Sequence, residues 1–361
     1  MAAKALYVAG RFDESQGKAS KIGLEVFSRL RPLFDFDYKN GGSFRELEGV
    51  LARIKEYKVV FWFADVPNDK PKLIGAIKEA NPPCLLITSK RNTEGQYTVP
   101  DLVYHALGIK SNLFVEFTSE QCQYKGRVMD PLGNVFLDHN ENFALVAQVL
   151  GKRVEELSSF TRVSSQRAGE RREIPDENDF FDLVRAHGDT FHELIHPHPE
   201  AANRFFGNAS FRCERGFPSM KAGGLVFVSR RNVDKRFIEP NSFVAVELGL
   251  PVRYFGDHKP SVDTPIQIAL YSHYSNARYM LHSHTYAEGA PLTQSIVPCG
   301  ALEEANEIID VFPNQNEVNF SINLRGHGSL VIADSVAQFR AVRYAARPIP
   351  EIHPDYAKDL G

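Results

Sequence analysis

The sequence predicts an α/β protein of two domains: a flavodoxin- or Rossmann-like domain over residues 1–157, then a linker at 158–175 and a second domain over 176–361. Three observations carry this. A chain of 361 residues is long enough for two domains. Its first 150 residues alternate short β-branched apolar runs with helix-period stretches, the pattern of a parallel sheet wrapped by helices. The stretch Ser158 to Pro175, SSFTRVSSQRAGERREIP, then turns polar and basic, as exposed connectors do.

The elements follow in order. Ala5 to Ala9 reads as a strand and Lys18 to Leu30 as a helix. Phe44 to Lys55 reads as a helix, Val59 to Ala64 as a strand, Lys70 to Ala80 as a helix and Cys84 to Thr88 as a strand. The almost wholly apolar Val59-Val60-Phe61-Trp62-Phe63-Ala64 fits a central strand buried on both faces. Such folds bind ligands beyond the carboxyl ends of their strands, which points to the loops Gly10 to Gly17, Asp65 to Asp69 and Ser89 to Gly95. Gly10 to Ser20 contains the glycines and lysine of a phosphate loop, but with six residues between the glycines where the motif needs four. It therefore reads as an ordinary turn, and without G-x-G-x-x-G after the first strand no dinucleotide is implied.

After the connector, Asp176 or Asn178 is placed to cap a helix whose apolar stripe runs through Phe180, Val184, His187, Phe191, Leu194 and Ile195. His187, His192, His196 and His198 invite a metal reading. His187 falls on the core stripe, however, and His196-Pro197-His198-Pro199 ends the helix, so packing and turn roles are preferred.

Composition narrows the function. With 42 Lys plus Arg against 45 Asp plus Glu, the formal charge is −3, which leaves no net basic field for nucleic acid or an anionic membrane. No window approaches a membrane span and the apolar start is too short for a signal peptide, so a cytoplasmic protein is expected. Cys84, Cys122, Cys213 and Cys299 lie far apart with no C-x-x-C pair and read as reduced, small buried hydrophobes.

The chemistry is concentrated in blocks after residue 200: Gly207-Asn208-Ala209-Ser210-Phe211-Arg212, Lys259-Pro260-Ser261-Val262-Asp263, and Leu281-His282-Ser283-His284. In a strand, His282 and His284 project to one side, so both imidazoles can reach one ion. Arg325-Gly326-His327-Gly328, before the apolar Leu330-Val331-Ile332, offers a third nitrogen. Two strand histidines can equally be core or surface residues, so spacing alone leaves both readings open.

In order and local wording these blocks resemble the class II aldolase/adducin family, with its G-N-x-S-x-R, K-P-S-S-E, H-x-H and late H-G motifs. The 19 positions from Asp263 to His282 match as well. The resemblance covers Phe180 to Arg343. It implies an α/β/α domain around a central, largely antiparallel sheet, with His282, His284 and His327 as zinc ligands and Asp263 in the place of the catalytic Glu. It also implies that Asn208, Ser229, Arg231 and Ser261 line a pocket for a substrate phosphate, that the substrate is a small molecule, and that the protein is a homo-oligomer, commonly a tetramer. Manganese, cobalt or iron would suit the same ligands as zinc.

Two departures matter. Asp263 is one methylene shorter than Glu, and Val262 removes a hydroxyl that Arg231 can replace with a fork suited to phosphate or carboxylate. Glu288 ranks second as the acid, Tyr286 reads as packing against the strand with proton donation to a leaving alkoxide as the alternative, and Glu303, Glu304 and Glu307 read as a solvated helix face. The expected function is a zinc-dependent lyase that makes or breaks an aldol bond in a phosphorylated or carboxylated hydroxy-carbonyl compound through a stabilised enediolate. The rivals are a dehydratase, epimerase or decarboxylase with the same site, and a non-catalytic scaffold like adducin.

Overall fold

The computed structural model describes residues 4–66, 75, 77, 84–93, 95–120, 123–195, 204–212 and 224–360. Most of the helix expected over 70–80 lies outside these residues, as do Cys122, Cys213, His196, His198 and part of the loops at 65–69 and 89–95. The chain divides into two compact units: Met1–Ser159 with Ile349–Gly361, and Phe160–Pro348.

The first unit is built on β1 (Lys4–Asp13), β2 (Asp35–Ser43), β3 (Val59–Asp65), β4 (Leu85–Thr93), β5 (Leu113–Glu120), β6 (Gln123–Met129) and β7 (Asn134–Asn140), with β18 (Glu351–Ile352) returning beside β7. Its parallel strands run in the order β2-β1-β3-β4-β5, that of flavodoxin-type doubly wound sheets. β6 and β7 continue the sheet antiparallel, so the sheet is mixed. Alternation along β1 sends Leu6 and Val8 into a core with Leu47, Val60, Trp62 and Leu86, while Tyr7 faces the opposite side among Phe27, Phe61 and Phe63.

Helices begin where side chains can satisfy their first amides. Ser20 accepts from the Gly23 amide to cap α1 (Lys21–Leu30), and Ser43 with Glu46 forms a capping box on α2 (Phe44–Leu51). Arg11 and Lys18 exchange backbone hydrogen bonds of 2.8 and 2.9 Å, so Gly10 to Gly17 closes as a turn. α3 (Val99–Gly108) and α4 (Phe143–Ser159) complete the regular helices described in this unit.

The second unit has a sheet in the order β15 (Phe320–Leu324), β16 (Gly328–Ala333), β13 (Tyr279–Ser283), β9 (Asn208–Phe211), β10 (Leu225–Ser229), β11 (Phe243–Glu247), β12 (Val252–Phe255) and β8 (Ser165–Gly169). The ladders are antiparallel except β12 with β8, which is parallel, so the sheet is mixed where a largely antiparallel one is expected. The polar stretch expected as a connector supplies this edge strand; a strand of Ser165-Gln166-Arg167-Ala168-Gly169 carries no apolar alternation to betray it.

Helices cover both faces of this sheet. On one, α6 (Thr264–His273) and α7 (Glu303–Val311) pack Ile268, Leu270 and Ile308 over Val226, Val228, Ile322 and Ile332. On the other, α5 (Asn178–Leu194) packs Phe180, Phe181 and Val184 against Phe211, Phe227 and Tyr279. A two-strand ladder of β14 (Tyr286–Ala287) and β17 (Tyr344–Ala345) stands apart. Neither Asp176 nor Asn178 is the cap of α5. Glu177 holds that position, and its carboxylate instead accepts from Arg278 at 2.9 Å and the Tyr279 hydroxyl at 2.8 Å, tying the helix start to β13.

His187 packs beside Tyr344, ring centroids 5.2 Å apart, and its buried Nε2 has no hydrogen-bond partner. Burial holds its pKa below the ordinary value. The unfolded chain therefore takes up the proton first as pH falls, and stability drops below about pH 6.5 until the lower folded-state value is passed. Melting at about pH 7.5 and about pH 5.5 is expected to differ less in His187→Phe than in the unmodified protein; equal differences would count against this role.

Candidate metal centre

The site forms where β9, β13 and the β15–β16 turn meet. His282 lies within β13, paired across the sheet with Asn208 on β9 and Leu330 on β16. His284 lies one residue beyond the strand end and is steadied by Phe206, whose ring lies 4.8 Å from it at an interplanar angle of 29°. His327 sits in the turn before β16, its amide donating to Leu324 at 3.0 Å. Ligand atoms of the three imidazoles lie within 4.8 Å of one another.

The surroundings fix which nitrogen faces inward. His282 Nδ1 lies 2.8 Å from the Ser329 carbonyl and must donate to it, which leaves Nε2 as the basic atom; that Nε2 is buried without a partner. His327 Nδ1 lies 2.7 Å from the Glu304 carboxylate, which turns Nε2 toward the site. Outer carboxylate and carbonyl partners of this kind set ring orientation in metal-binding histidines. An orphaned basic nitrogen and three convergent imidazoles fit a divalent first-row cation such as zinc.

Electrostatics point the same way. Burial, with His327 adding to it, pushes His282 down to about 4, and burial also holds His284 well below the usual range. Both are neutral and ready to donate an electron pair. Burial opposes protonation of His327, but Cys299 and Glu304 outweigh it and raise its pKa. Burial raises Glu304 too, against the pull of His327.

Asp263 stands at the start of α6 but makes no capping bond there. Its Oδ2 accepts from Asn208 Nδ2 at 2.9 Å and Ser261 Oγ at 3.4 Å, and lies 4.0 Å from His282 Nε2. Asn208 is in turn held by Gln267 of α6. Oδ1 of Asp263 is buried with no partner. A small cavity opens among Asn208, Asp263, Gln267, His282 and Glu304.

Other expected residues fall around this centre with different exposure. Ser229 is buried and accepts the Ala209 amide at 3.1 Å, so it braces β9 against β10. Ser261 is buried and receives the Asp263 amide at 3.3 Å. Arg231 is exposed, with Nε donating to the Pro260 carbonyl at 3.1 Å. Glu288, the second-ranked acid, is exposed, and the Tyr286 hydroxyl accepts from the Gly326 amide at 3.0 Å.

Three residues escaped the sequence reading. Glu304 is only 3% exposed, contrary to a solvated helix face; its spacing with the buried Ala305 and Ile308 is the signal that was available. Cys299 Sγ lies 3.2 Å from His327 Nε2. Lys235 is buried near this centre, with Nζ 3.4 Å from the Phe205 carbonyl, and burial brings it down to about 7 against the pull of Asp234 and Asp263.

Residues 192–346 match the family model described as Class II Aldolase and Adducin N-terminal domain. The match falls within the second unit. The match takes in all three histidines and Asp263 and covers less than half of the 361-residue chain. A methylthioribulose-1-phosphate dehydratase from Picosynechococcus is 38% identical over 64 residues, 18% of this chain and 30% of that enzyme. The chain therefore spans under a third of the length of that relative. Among solved structures, the N-terminal class II aldolase domain of a Thermoplasma acidophilum protein is 16% identical, covering 53% of this chain and 96% of its own at a TM-score of 0.35. L-fuculose-1-phosphate aldolase from Thermus thermophilus is 19% identical, covering 46% and 85% at 0.30.

Proposed function

We propose that the second unit is a metal-dependent lyase that makes or breaks an aldol bond in a small phosphorylated or carboxylated hydroxy-carbonyl compound. The observation that carries this is the unpartnered Nε2 of His282 among three convergent imidazoles, 4.0 Å from the carboxylate of Asp263, whose Oδ1 is also unpartnered. His282, His284 and His327 would hold the cation, whose chemistry is Lewis-acid stabilisation of the negative charge that develops beside a substrate carbonyl.

The chain's own residues do the rest. Asp263, held through Oδ2 by Asn208 and Ser261, keeps Oδ1 open to take or return a proton. Gln267 fixes Asn208, so the carboxylate is oriented before substrate arrives. Arg231, exposed on the β10 side, offers its guanidinium to the anionic end of the substrate.

Proton removal is the step to measure. Loaded with zinc in deuterated water, the protein is expected to exchange a carbon-bound hydrogen of dihydroxyacetone phosphate or hydroxypyruvate, read by proton NMR. Asp263→Asn is expected to slow this by about 10²–10⁴-fold. No exchange in either compound by metal-loaded protein would overturn the reading.

A second reading, loss of water from a sugar phosphate, is favoured by the resemblance to methylthioribulose-1-phosphate dehydratase. It needs the same proton removal but expels a hydroxyl, so a ketopentose 1-phosphate would give a diketone where the aldolase gives an aldehyde.

A further inference from the structure

We propose that Cys299 is a fourth protein ligand of the metal centre, occupying as a thiolate the position that substrate takes over. The inference rests on the metal-site reading above and adds to the three imidazoles a residue that neither the sequence motifs nor the comparisons assign.

The geometry is direct. Asp263, Cys299 and His327 offer ligand atoms within 4.8 Å of one another, and so do His282, His284 and His327. The two sets share His327. Cys299 Sγ approaches His327 at Nε2, the atom turned toward the cation position because Nδ1 faces Glu304. A tetrahedral zinc with the usual nitrogen and sulfur bond lengths would hold those two atoms about 3.5 Å apart. Their separation is 3.2 Å, so this pair needs to part only slightly to share a cation.

Cys299 does not stand alone here. His282, 3% exposed, turns a buried Nε2 with no partner into the same centre. Three nitrogens without a fourth donor would leave the cation one position short of a tetrahedron. Asp263 is the other candidate for that position: Asn208 and Ser261 draw its Oδ2, and its unpartnered Oδ1 is the atom the proposed function reserves for the substrate proton. A softer sulfur donor, in contact with a ligating imidazole nitrogen, competes well for zinc or cobalt.

The exchange balances without any oxidant or reductant. On metal binding the thiol releases its proton to solvent and the sulfur pair goes to the cation. A substrate taking that position would free the sulfur with its pair, and Cys299 would regain a proton from solvent. Cys299 would thus complete the resting centre and leave it when substrate is bound.

Cobalt substitution of the full chain tests this by spectrum. Visible d–d bands report the ion, and a near-ultraviolet sulfur-to-cobalt charge-transfer band reports a thiolate ligand. The unmodified protein is expected to show both, Cys84→Ala to keep both, and Cys299→Ser to keep the d–d bands and lose the charge-transfer band. Visible bands without the near-ultraviolet band, or a band that survives Cys299→Ser, would overturn the Cys299 assignment while leaving the metal site standing. Failure to bind cobalt at all would overturn both.

Alkylation mapped by mass spectrometry supplies a second measurement that needs no variant. Zinc is expected to protect Cys299 from iodoacetamide and a chelator to restore its reactivity. Unchanged alkylation on adding zinc, in protein shown to bind it, would count against the ligand role whether or not Cys299→Ser folds.

Discussion

His327→Ala is expected to abolish metal binding and to destabilise the second unit by about 3–5 kcal/mol, the cost of leaving one member of a buried charge pair alone. The stability loss follows from Glu304, which is buried and has its carboxylate 2.7 Å from His327 Nδ1. Elemental mass spectrometry should find about one ion per chain in the unmodified protein and none in the variant. His282→Ala should lose the metal too, with a smaller thermal effect, because its Nδ1 partner is the neutral carbonyl of Ser329. Adding Glu304→Gln to His327→Ala should recover part of the melting temperature and none of the metal. Full metal content in His327→Ala would remove that residue from the ligand set.

Gly328→Ala is expected to be the most damaging single-methyl change near the site, by about 2–5 kcal/mol. Gly328 opens β16 at φ +154°, and a Cβ there would collide with the Ser283 carbonyl and come within 2.8 Å of His284 Cα. Both obstacles are backbone and cannot rotate away. The clash falls on the segment that carries His282 and His284, so metal affinity should fall along with the melting temperature. A variant that melts and binds metal like the unmodified chain would mean that the H-x-H segment tolerates displacement. A Cβ added at Gly207 would likewise run into the His282 carbonyl, on the same segment.

Apolar patterning made much of this fold readable. β1, β3 and β4, α1 and α2 lie where runs of buried residues alternate with helical spacing. β2 was not read because Asp35-Phe36-Asp37-Tyr38-Lys39-Asn40-Gly41-Gly42-Ser43 is a mostly polar edge strand whose strand partner is β1 and whose apolar content is two aromatic rings. β5 to β7 likewise passed unread. In the site, His282, His284 and His327 were legible because strand period and a turn before an apolar run are local signals. Glu304 and Cys299 were not, since each acquires its meaning from His327, more than twenty residues away in the chain. Glu288, four residues after His284 and ranked second as the acid, is exposed.

The return of β18 to β7 sets an order of synthesis. On the ribosome, β7 emerges with one side paired to β6 and the other awaiting Glu351 and Ile352, so residues 160–348 must all be made before its neighbour exists. Throughout that interval the nascent chain carries an open strand edge, the feature through which unfinished proteins adhere to one another. Placing the partner strand last makes the first unit the earlier to begin folding and the later to finish.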